Sequence, residues 1–174
     1  MSLMTWTIEQ HGTNVSFADT EHQKVFHNLN ILYDLRMEGA GTPEITEQLN
    51  DLLAIVADHF SHEETEMRVK KFIDYERHKI EHDELINTCT AMEIKIKAGE
   101  LELTERTCQL IKSWFESHIP EYDRAYSEAL NGKKNTGILL RIIPVIRVTY
   151  SITPAACNCD RKFSTRLRLT PKSP

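Results

Sequence analysis

Histidine and carboxylate side chains recur in this sequence at spacings that suit a metal site. His59 and Glu63 are four residues apart, and so are His78 and His82. In a helix with about 3.6 residues per turn, a four-residue step places both side chains on one face, one turn apart. Each pair could therefore contribute to one metal centre from one helix, since imidazole and carboxylate are common metal ligands. A single pair is common by chance, so the interpretation depends on the rest of the chain.

Four long helices are predicted to position these side chains. Apolar residues recur at three- and four-residue steps, and most glycines fall at the ends of the periodic segments. The predicted helices run from a cap at Asp19 to about Glu38, from Thr42 to about Met67, from a cap at Asp74 to Ala98, and from a cap at Thr104 to near Leu130. Their short connections favour an all-α fold, an antiparallel up-down-up-down four-helix bundle. An N-terminal arm with Trp6, Ile8 and Phe17 is expected to be extended and to lie over the helices.

Every predicted helix contributes at least one possible ligand at the same end of the bundle. In an antiparallel bundle the starts of the first and third helices lie beside the ends of the second and fourth, and the candidates fall there. Burying so many polar groups without a metal would cost their solvation. The predicted ligands are His22, His59, Glu63, His78, His82, His118 and Asp123. The other histidines, His11, His27 and His62, are interpreted as ordinary structural, surface or supporting residues.

The fourth helix needs an irregular turn to use both of its candidate ligands. His118 and Asp123 are five residues apart, so a regular helix would point them about 140° away from each other. A π-type bulge or a kink would bring them together. Pro120 lies between them, lacks a backbone donor and bends helices, which supports a distortion at this point.

The charge of the chain reverses sign near residue 135. Residues 1–134 contain 14 basic and 25 acidic residues, a net charge of −11, whereas residues 135–174 contain 7 and 1, a net charge of +6. The acidic body argues against a nucleic-acid partner. We predict one domain over 1–134 and a basic, poorly ordered tail over 135–174 without a recognisable domain. Two alternatives stay open: the tail docks a protein partner or an anionic surface, or it is no part of an evolved domain.

The sequence favours a soluble protein of the cytoplasm. No run of about 20 uncharged apolar residues is present, so no transmembrane segment is expected. The N-terminus lacks the basic and apolar regions of a secretory signal, and four cysteines in this pattern do not form a disulfide scaffold. Cys157 and Cys159 form a lone C-x-C, which by itself is a weak metal signal.

Four segments carry the candidate ligands in order. They are DTEHQKVF at 19–26, HFSHEE at 59–64, HKIEHDEL at 78–85 and WFESHIPEYDRAY at 114–126. Together they resemble the hemerythrin family, specifically its single-domain bacterial members, over about residues 5–131. The resemblance implies a four-helix bundle with a non-haem di-iron centre, in which an oxo or hydroxo group joins two iron ions.

The same resemblance implies a role for each ligand. His78, His82 and His118 would bind one iron, His22 and His59 would bind the other, and Glu63 and Asp123 would bridge them. Dioxygen would bind at the open position of the second iron, under an apolar pocket formed by Trp114, Phe115 and Ile119. Leucine is the residue expected at position 115, so phenylalanine there is predicted to narrow the pocket.

The function implied is reversible dioxygen binding for storage, delivery or sensing, without enzymatic activity. Five imidazoles and only two carboxylates favour this over oxidation, because ferritin-like oxidases use carboxylate-rich sets that stabilise higher oxidation states. The alternatives are a di-iron oxidase or peroxidase, or an iron-handling protein, that uses the same site. A ligand-gated module that signals through the tail is a third hypothesis, weakened because no output segment is recognisable.

Overall fold

A computed structural model describes residues 2–131, and within that range all the regular structure is helical. The helices are α1 (Ile8–His11), α2 (Ser16–Glu38), α3 (Thr42–Val69), α4 (Tyr75–Lys97), α5 (Glu105–His118) and α6 (Arg124–Leu130), with a π-helical turn at Ile119–Asp123. The four long segments pack as an up-down-up-down bundle, in which α2 contacts α3 and α5, and α3 contacts α4. The predicted fold class is confirmed.

Three of the four predicted helix starts are correct, and each has a local cause. Gly41 precedes α3, Pro43 lies in its first turn, and the Glu44 carboxylate accepts a hydrogen bond from the Gly41 N–H at 3.0 Å. The Thr104 hydroxyl accepts one from the Thr107 N–H at 3.2 Å and so caps α5. Asp74 immediately precedes α4, as expected, although its side chain makes no capping hydrogen bond.

The predicted cap at Asp19 is wrong, because α2 begins three residues earlier, at Ser16. The Asp19 carboxylate instead accepts hydrogen bonds from the backbone N–H and the hydroxyl of Thr13, at 2.7 and 2.8 Å. Since Thr13 precedes the helix, these bonds tie the N-terminal arm to the first turn of α2. An acidic residue in a first turn also interacts favourably with the helix dipole. Asp19 therefore does favour the start of α2, but as a residue of its first turn and not as its cap.

The N-terminal arm lies over the helices, as expected, but it is not wholly extended. It contains α1, and Leu3 and Met4 are buried against the main core. The Asn30 amide pairs with the backbone N–H and carbonyl of Met4, both at 2.9 Å. By contrast, the Ile8 side chain is 60% exposed, and Phe17 belongs to α2. The arm is therefore held by its first residues and by polar contacts, while Ile8 faces outward.

The main apolar core fills the bundle on one side of the candidate ligands and extends up to them. Buried residues recur at helical spacing on α2 and α3, including Val25, Leu29 and Leu32 on α2 and Leu49 and Val56 on α3. These rows bury the apolar face that the periodicity predicts. A smaller cluster of Met67, Phe72 and Tyr126 closes the end of the bundle beyond the polar layer.

Several predictions fall on residues outside the described range. They concern Gly132 as the stop of the last helix, the basic tail over 135–174, and the C-x-C pair Cys157 and Cys159. The domain boundary near residue 134 also stays a prediction. Among residues 2–131, no helix is both long and apolar enough to cross a membrane.

Candidate metal centre

The structure brings all seven candidate ligands into one buried layer of the bundle. They form two groups, and within each group the possible ligand atoms lie within 4.8 Å of one another. One group consists of Glu63, His78, His82, His118 and Asp123, and the other of His22, His59, Glu63 and Asp123. Glu63 and Asp123 belong to both groups. Ligands for two neighbouring cations would be arranged in this way, with two carboxylates between them.

The three imidazoles of the first group all direct the Nε2 atom toward one another. Nε2 of His118 lies 3.1 Å from Nε2 of His78 and 3.2 Å from Nε2 of His82. A neutral imidazole carries one N–H, so three nitrogens that point at one another cannot all be satisfied by hydrogen bonds. Two ligands about 2.1 Å from a shared ion and at right angles lie about 3 Å apart, so these distances fit a common metal.

Asp123 lies between the two groups. Its Oδ1 is 3.1 Å from Nε2 of both His78 and His118, and its Oδ2 is 3.1 Å from Nε2 of His22. Glu63 is more distant, with Oε2 3.6 to 3.8 Å from Nε2 of His59, His78 and His82. One oxygen of Asp123 thus faces each group, which is the placement that a bridging carboxylate requires.

The π-helical turn after α5 is what allows Asp123 to face the same way as His118. Within this turn the Arg124 N–H donates to the carbonyl of Ile119, five residues earlier, and Pro120 lies near its start. The additional residue in the turn offsets the angular mismatch of a five-residue spacing. The predicted distortion is therefore confirmed, and its location between the two ligands is the one expected.

Burial sets the electrostatics of the two shared carboxylates. Burial and the nearby charge of Asp123 raise the pKa of Glu63 well above its ordinary value. Burial would also raise the pKa of Asp123. Electrostatic attraction and hydrogen bonding from His118, together with hydrogen bonding from His22 and His78, outweigh burial and hold that pKa well below its ordinary value. Neither oxygen of Glu63 has a hydrogen-bond partner among the described residues. Since an unpaired buried carboxylate is costly, this donor set fits cations placed between the two groups.

Two of the five candidate histidine ligands, His82 and His118, are held in the form that binds metal. Burial lowers the pKa of His118 to about 4, and burial together with the neighbouring His78 and His118 lowers that of His82 well below its ordinary value. Both imidazoles are consequently neutral at physiological pH and keep a lone pair available. Metal ions bind neutral imidazole, so little proton release is needed at these two positions.

Aromatic rings enclose the first group. Trp114 stacks on His118 with ring centres 4.1 Å apart, and Tyr122 also stacks on it at 5.0 Å. Phe60 stacks on His82 at 3.7 Å. The three residues proposed for an oxygen pocket, Trp114, Phe115 and Ile119, are all buried. Trp114 lies against a ligand, and Phe115 lies 6.4 Å from the ring of Phe26; their role around a bound gas stays a prediction.

Two supporting carboxylates were not identified from the sequence. Glu21 contacts Nδ1 of both His59 and His62 at 3.0 Å, and Glu64 lies 3.3 Å from Nδ1 of His82. Burial would raise the pKa of Glu21, but hydrogen bonds from His59 and His62 lower it below the ordinary value. Each carboxylate directly adjoins a predicted ligand in sequence, His22 or Glu63, and so lies about 100° around the helix from it. That adjacency is the signal that could have found them.

The remaining histidines fall largely where the sequence placed them. His27 is exposed and His62 is 47% exposed, although His62 also has the contact to Glu21. His11 differs, because it is buried, accepts a hydrogen bond from the Thr7 N–H and packs edge-on against Phe26. Its position in the arm gave no indication of this burial.

Comparison with known proteins agrees with the fold and the site. Residues 13–130 match the family described as the hemerythrin HHE cation binding domain. The chain is 41% identical to a bacteriohemerythrin of Methylococcus capsulatus over 131 residues, which is 75% of this chain and 99% of that protein. It is also 28% identical to a myohemerythrin of Theromyzon tessulatum over 112 residues, 64% of this chain and 82% of that one. The chain belongs to the hemerythrin family.

Solved structures give the same result. A wild-type hemerythrin crystal structure matches with a TM-score of 0.71 and 41% identity, covering 74% of this chain and 98% of that one. A variant hemerythrin, in which one leucine is replaced by tyrosine, matches with a TM-score of 0.72 and 42% identity, covering 75% and 98%.

Proposed function

We propose that this protein binds dioxygen reversibly at two non-haem iron ions held by the seven buried ligands. The observation that carries the proposal is the pair of ligand groups that share Glu63 and Asp123 within a hemerythrin-family bundle. Five imidazoles and two carboxylates supply only two negative charges to two cations. This neutral-rich set favours binding of dioxygen over oxidative chemistry, which uses more carboxylates.

Each residue has a specific part in this proposal. His78, His82 and His118 would hold one iron, His22 and His59 would hold the other, and Glu63 and Asp123, which belong to both groups, would be shared by the two. When bound, the iron pair supplies the electrons that bind dioxygen reversibly. The first group would supply three imidazoles and the second only two, so the ligand set would leave room for dioxygen on the His22 and His59 side.

The surrounding side chains limit what else can reach the site. All seven ligands are buried, and Phe60, Trp114 and Tyr122 pack directly on the imidazoles of the first group. Apolar walls exclude water and protons, and proton access is what would release oxygen in a reduced form. The same enclosure holds the rings in fixed orientations, because each stacked face prevents rotation of the imidazole that it covers.

The test is metal analysis and optical spectroscopy of the full chain after loading with ferrous iron. We expect two irons per chain and a visible absorption band that forms on exposure to oxygen and disappears on deoxygenation, over repeated cycles. An H27A variant, which changes an exposed histidine outside the ligand set, should behave as the wild type. A single zinc ion, or two irons without a reversible band, would contradict the proposal. Steady peroxide consumption with a reductant, faster than with free iron, would identify the oxidase or peroxidase alternative.

A further inference from the structure

Glu21 joins two helices through contacts to two histidines. It lies on α2, while His59 and His62 lie on α3, and its two carboxylate oxygens approach different rings. Oε2 is 3.0 Å from Nδ1 of His59, and Oε1 is 3.0 Å from Nδ1 of His62. Since an ionised carboxylate only accepts hydrogen bonds, both Nδ1 atoms must carry the proton.

This requirement fixes the tautomer of a neutral His59 ring. With the proton on Nδ1, the neutral ring has its lone pair on Nε2, which is the nitrogen that faces Glu63 at 3.7 Å. The alternative tautomer would place a proton where a metal must bind and would leave Nδ1 as an acceptor opposite a carboxylate. A hydrogen bond to the outer nitrogen also orients a ligating ring and raises its basicity.

The outer part of the contact is itself held in place. The His62 ring stacks on Phe17 with centres 3.9 Å apart. Phe17 and Glu21 are four residues apart on α2, so both project from one face of that helix toward α3. The Glu21 side chain is 23% exposed and that of His62 is 47% exposed, whereas His59 is buried. A buried ligand is thus connected to the surface of the protein through one shared carboxylate.

We propose that Glu21 is a positioning residue for the His22 and His59 half of the centre, which it serves by fixing the tautomer and ring orientation of His59. The inference rests on the proposed function for the identity of the metal, but the tautomer belongs to the protein alone. Glu21 also directly precedes His22. One turn of α2 therefore supplies His22, which is one ligand of this half, and Glu21, which supports the other ligand, His59. Both ligands therefore depend on the packing of α2 against α3.

Glu64 offers a matched comparison at the other half of the centre. It lies 3.3 Å from Nδ1 of His82, and its other oxygen lies 3.8 Å from the Lys79 amine. His82 is additionally held by the stacked ring of Phe60, whereas the rings near His59 are edge-on or tilted to it. We therefore expect His59 to depend more strongly on its carboxylate than His82 does.

The first experiment measures the tautomer in the metal-free full chain. Nitrogen-15 NMR at about pH 8, above the ordinary histidine pKa of about 6.5, should show His59 protonated on Nδ1 in the wild type. In E21A that preference should be lost, while E21Q, whose amide oxygen can still accept a hydrogen bond, should retain it in part. E64A should leave the His59 signal unchanged. An unchanged tautomer in E21A would overturn the proposal, and no outcome here depends on iron.

The second experiment titrates metal into E21A, E21Q, H62A and E64A. E21A should bind the more weakly held of the two metals about 10- to 100-fold less tightly, with E21Q intermediate and H62A nearer the wild type. Near-UV circular dichroism and the metal-free melting temperature show whether a variant is folded. Wild-type affinity for both metals in a folded E21A would overturn the proposal. A wild-type chain that fails to take two irons would instead contradict the proposed function, and the tautomer measurement would still decide the role of Glu21.

Discussion

The two halves of the candidate centre are built from different interactions. In the half with three imidazoles, aromatic rings cover the ligands, since Trp114 and Tyr122 enclose His118 and Phe60 covers His82. In the half with two, the rings of His22 and His59 meet edge-on at 4.5 Å, and His59 is held by the partly exposed Glu21. One half is fixed by aromatic packing on its rings in addition to the contact of Glu64 with His82, and the other by a polar contact that reaches the surface.

Because of this difference, we expect one half to hold its ligand rings more rigidly and the other half to admit a small ligand more easily. Stacked rings fix an imidazole and fill the space beside it, so the His78, His82 and His118 group has little room for another molecule. A hydrogen bond holds a ring at its outer edge and does not itself cover the faces of the ring. We therefore expect a small ligand to bind on the His22 and His59 side, and the metal on that side to be the more weakly held.

Removing a shared carboxylate should have the largest effect. Glu63 and Asp123 belong to both groups, so E63A or D123A should lower the iron content from two per chain to less than one and abolish the reversible absorption band. Elemental analysis and visible spectroscopy measure both. E47A, which changes an exposed glutamate on the same helix as Glu63, is the control. An E63A protein with two irons and a normal oxygenated spectrum would show that Glu63 is not a bridge.

Much of this site was predictable because the pattern of ligands depends on helix geometry alone. The four-residue spacings of His59 with Glu63 and of His78 with His82 fix a shared face without any knowledge of tertiary structure. The distortion near Pro120 followed from a five-residue spacing that a regular helix cannot accommodate. These features are local, so they could be read from one segment at a time.

The supporting contacts depend on how neighbouring helices are rotated against each other, which the sequence did not specify. Glu21 reaches His59 across the interface between α2 and α3, and Glu64 reaches His82 across that between α3 and α4. The burial of His11 likewise requires the arm to fold back over Phe26. The mistaken cap at Asp19 has a related cause, because its carboxylate is used by Thr13 in that same arm.

Changing one ligand of the half with three imidazoles should remove one metal ion and leave the other. H118A takes away an imidazole that contacts both His78 and His82, so the iron of that group should be lost first and the content should fall toward one per chain. Iron analysis after gel filtration measures this. Full retention of two irons in a folded H118A protein would exclude His118 as a ligand.

Removing the metals should lower the stability of the whole bundle. A ligand that binds only the folded state, at a free concentration about 1,000 times its dissociation constant, adds about 4 kcal/mol, or roughly 10 °C in melting temperature for a chain of this size. Calorimetry of the iron-loaded protein with and without a chelator tests this. The E63A variant supplies the control, since it should hold less than one iron per chain and its melting temperature should respond much less to the chelator. An equally unresponsive wild type would argue against a metal site.

Replacing Phe115 with leucine should change the rate of oxygen release more than the free energy of folding. Phe115 is 1% exposed and neighbours Trp114 and Phe26, so F115L makes a small cavity and costs about 1 kcal/mol of folding free energy. If Phe115 narrows access to the site, oxygen release should become faster by a factor of about 2 to 10, a barrier change of about 0.4–1.4 kcal/mol. Stopped-flow deoxygenation measures the rate, with iron content as the control. An unchanged rate would place Phe115 in the core alone.

Deleting residues 136–174 should have the smallest effect on the centre. All seven candidate ligands, the three candidate pocket residues and the supporting carboxylates lie between residues 21 and 123, and the match to the family ends at residue 130. The deleted segment carries 7 of the 21 basic residues of the chain with only one acidic residue, and it contains the apolar stretch at 138–152, whose composition favours aggregation when exposed. We therefore expect two irons per chain, an unchanged oxygenated spectrum and an equal or higher solubility, compared in parallel with the full-length protein.

Both halves of the centre should respond alike, because neither takes a residue from this segment. A truncated chain that loses iron or melts at a lower temperature would show that the segment belongs to the fold, and the domain boundary would then lie beyond residue 134.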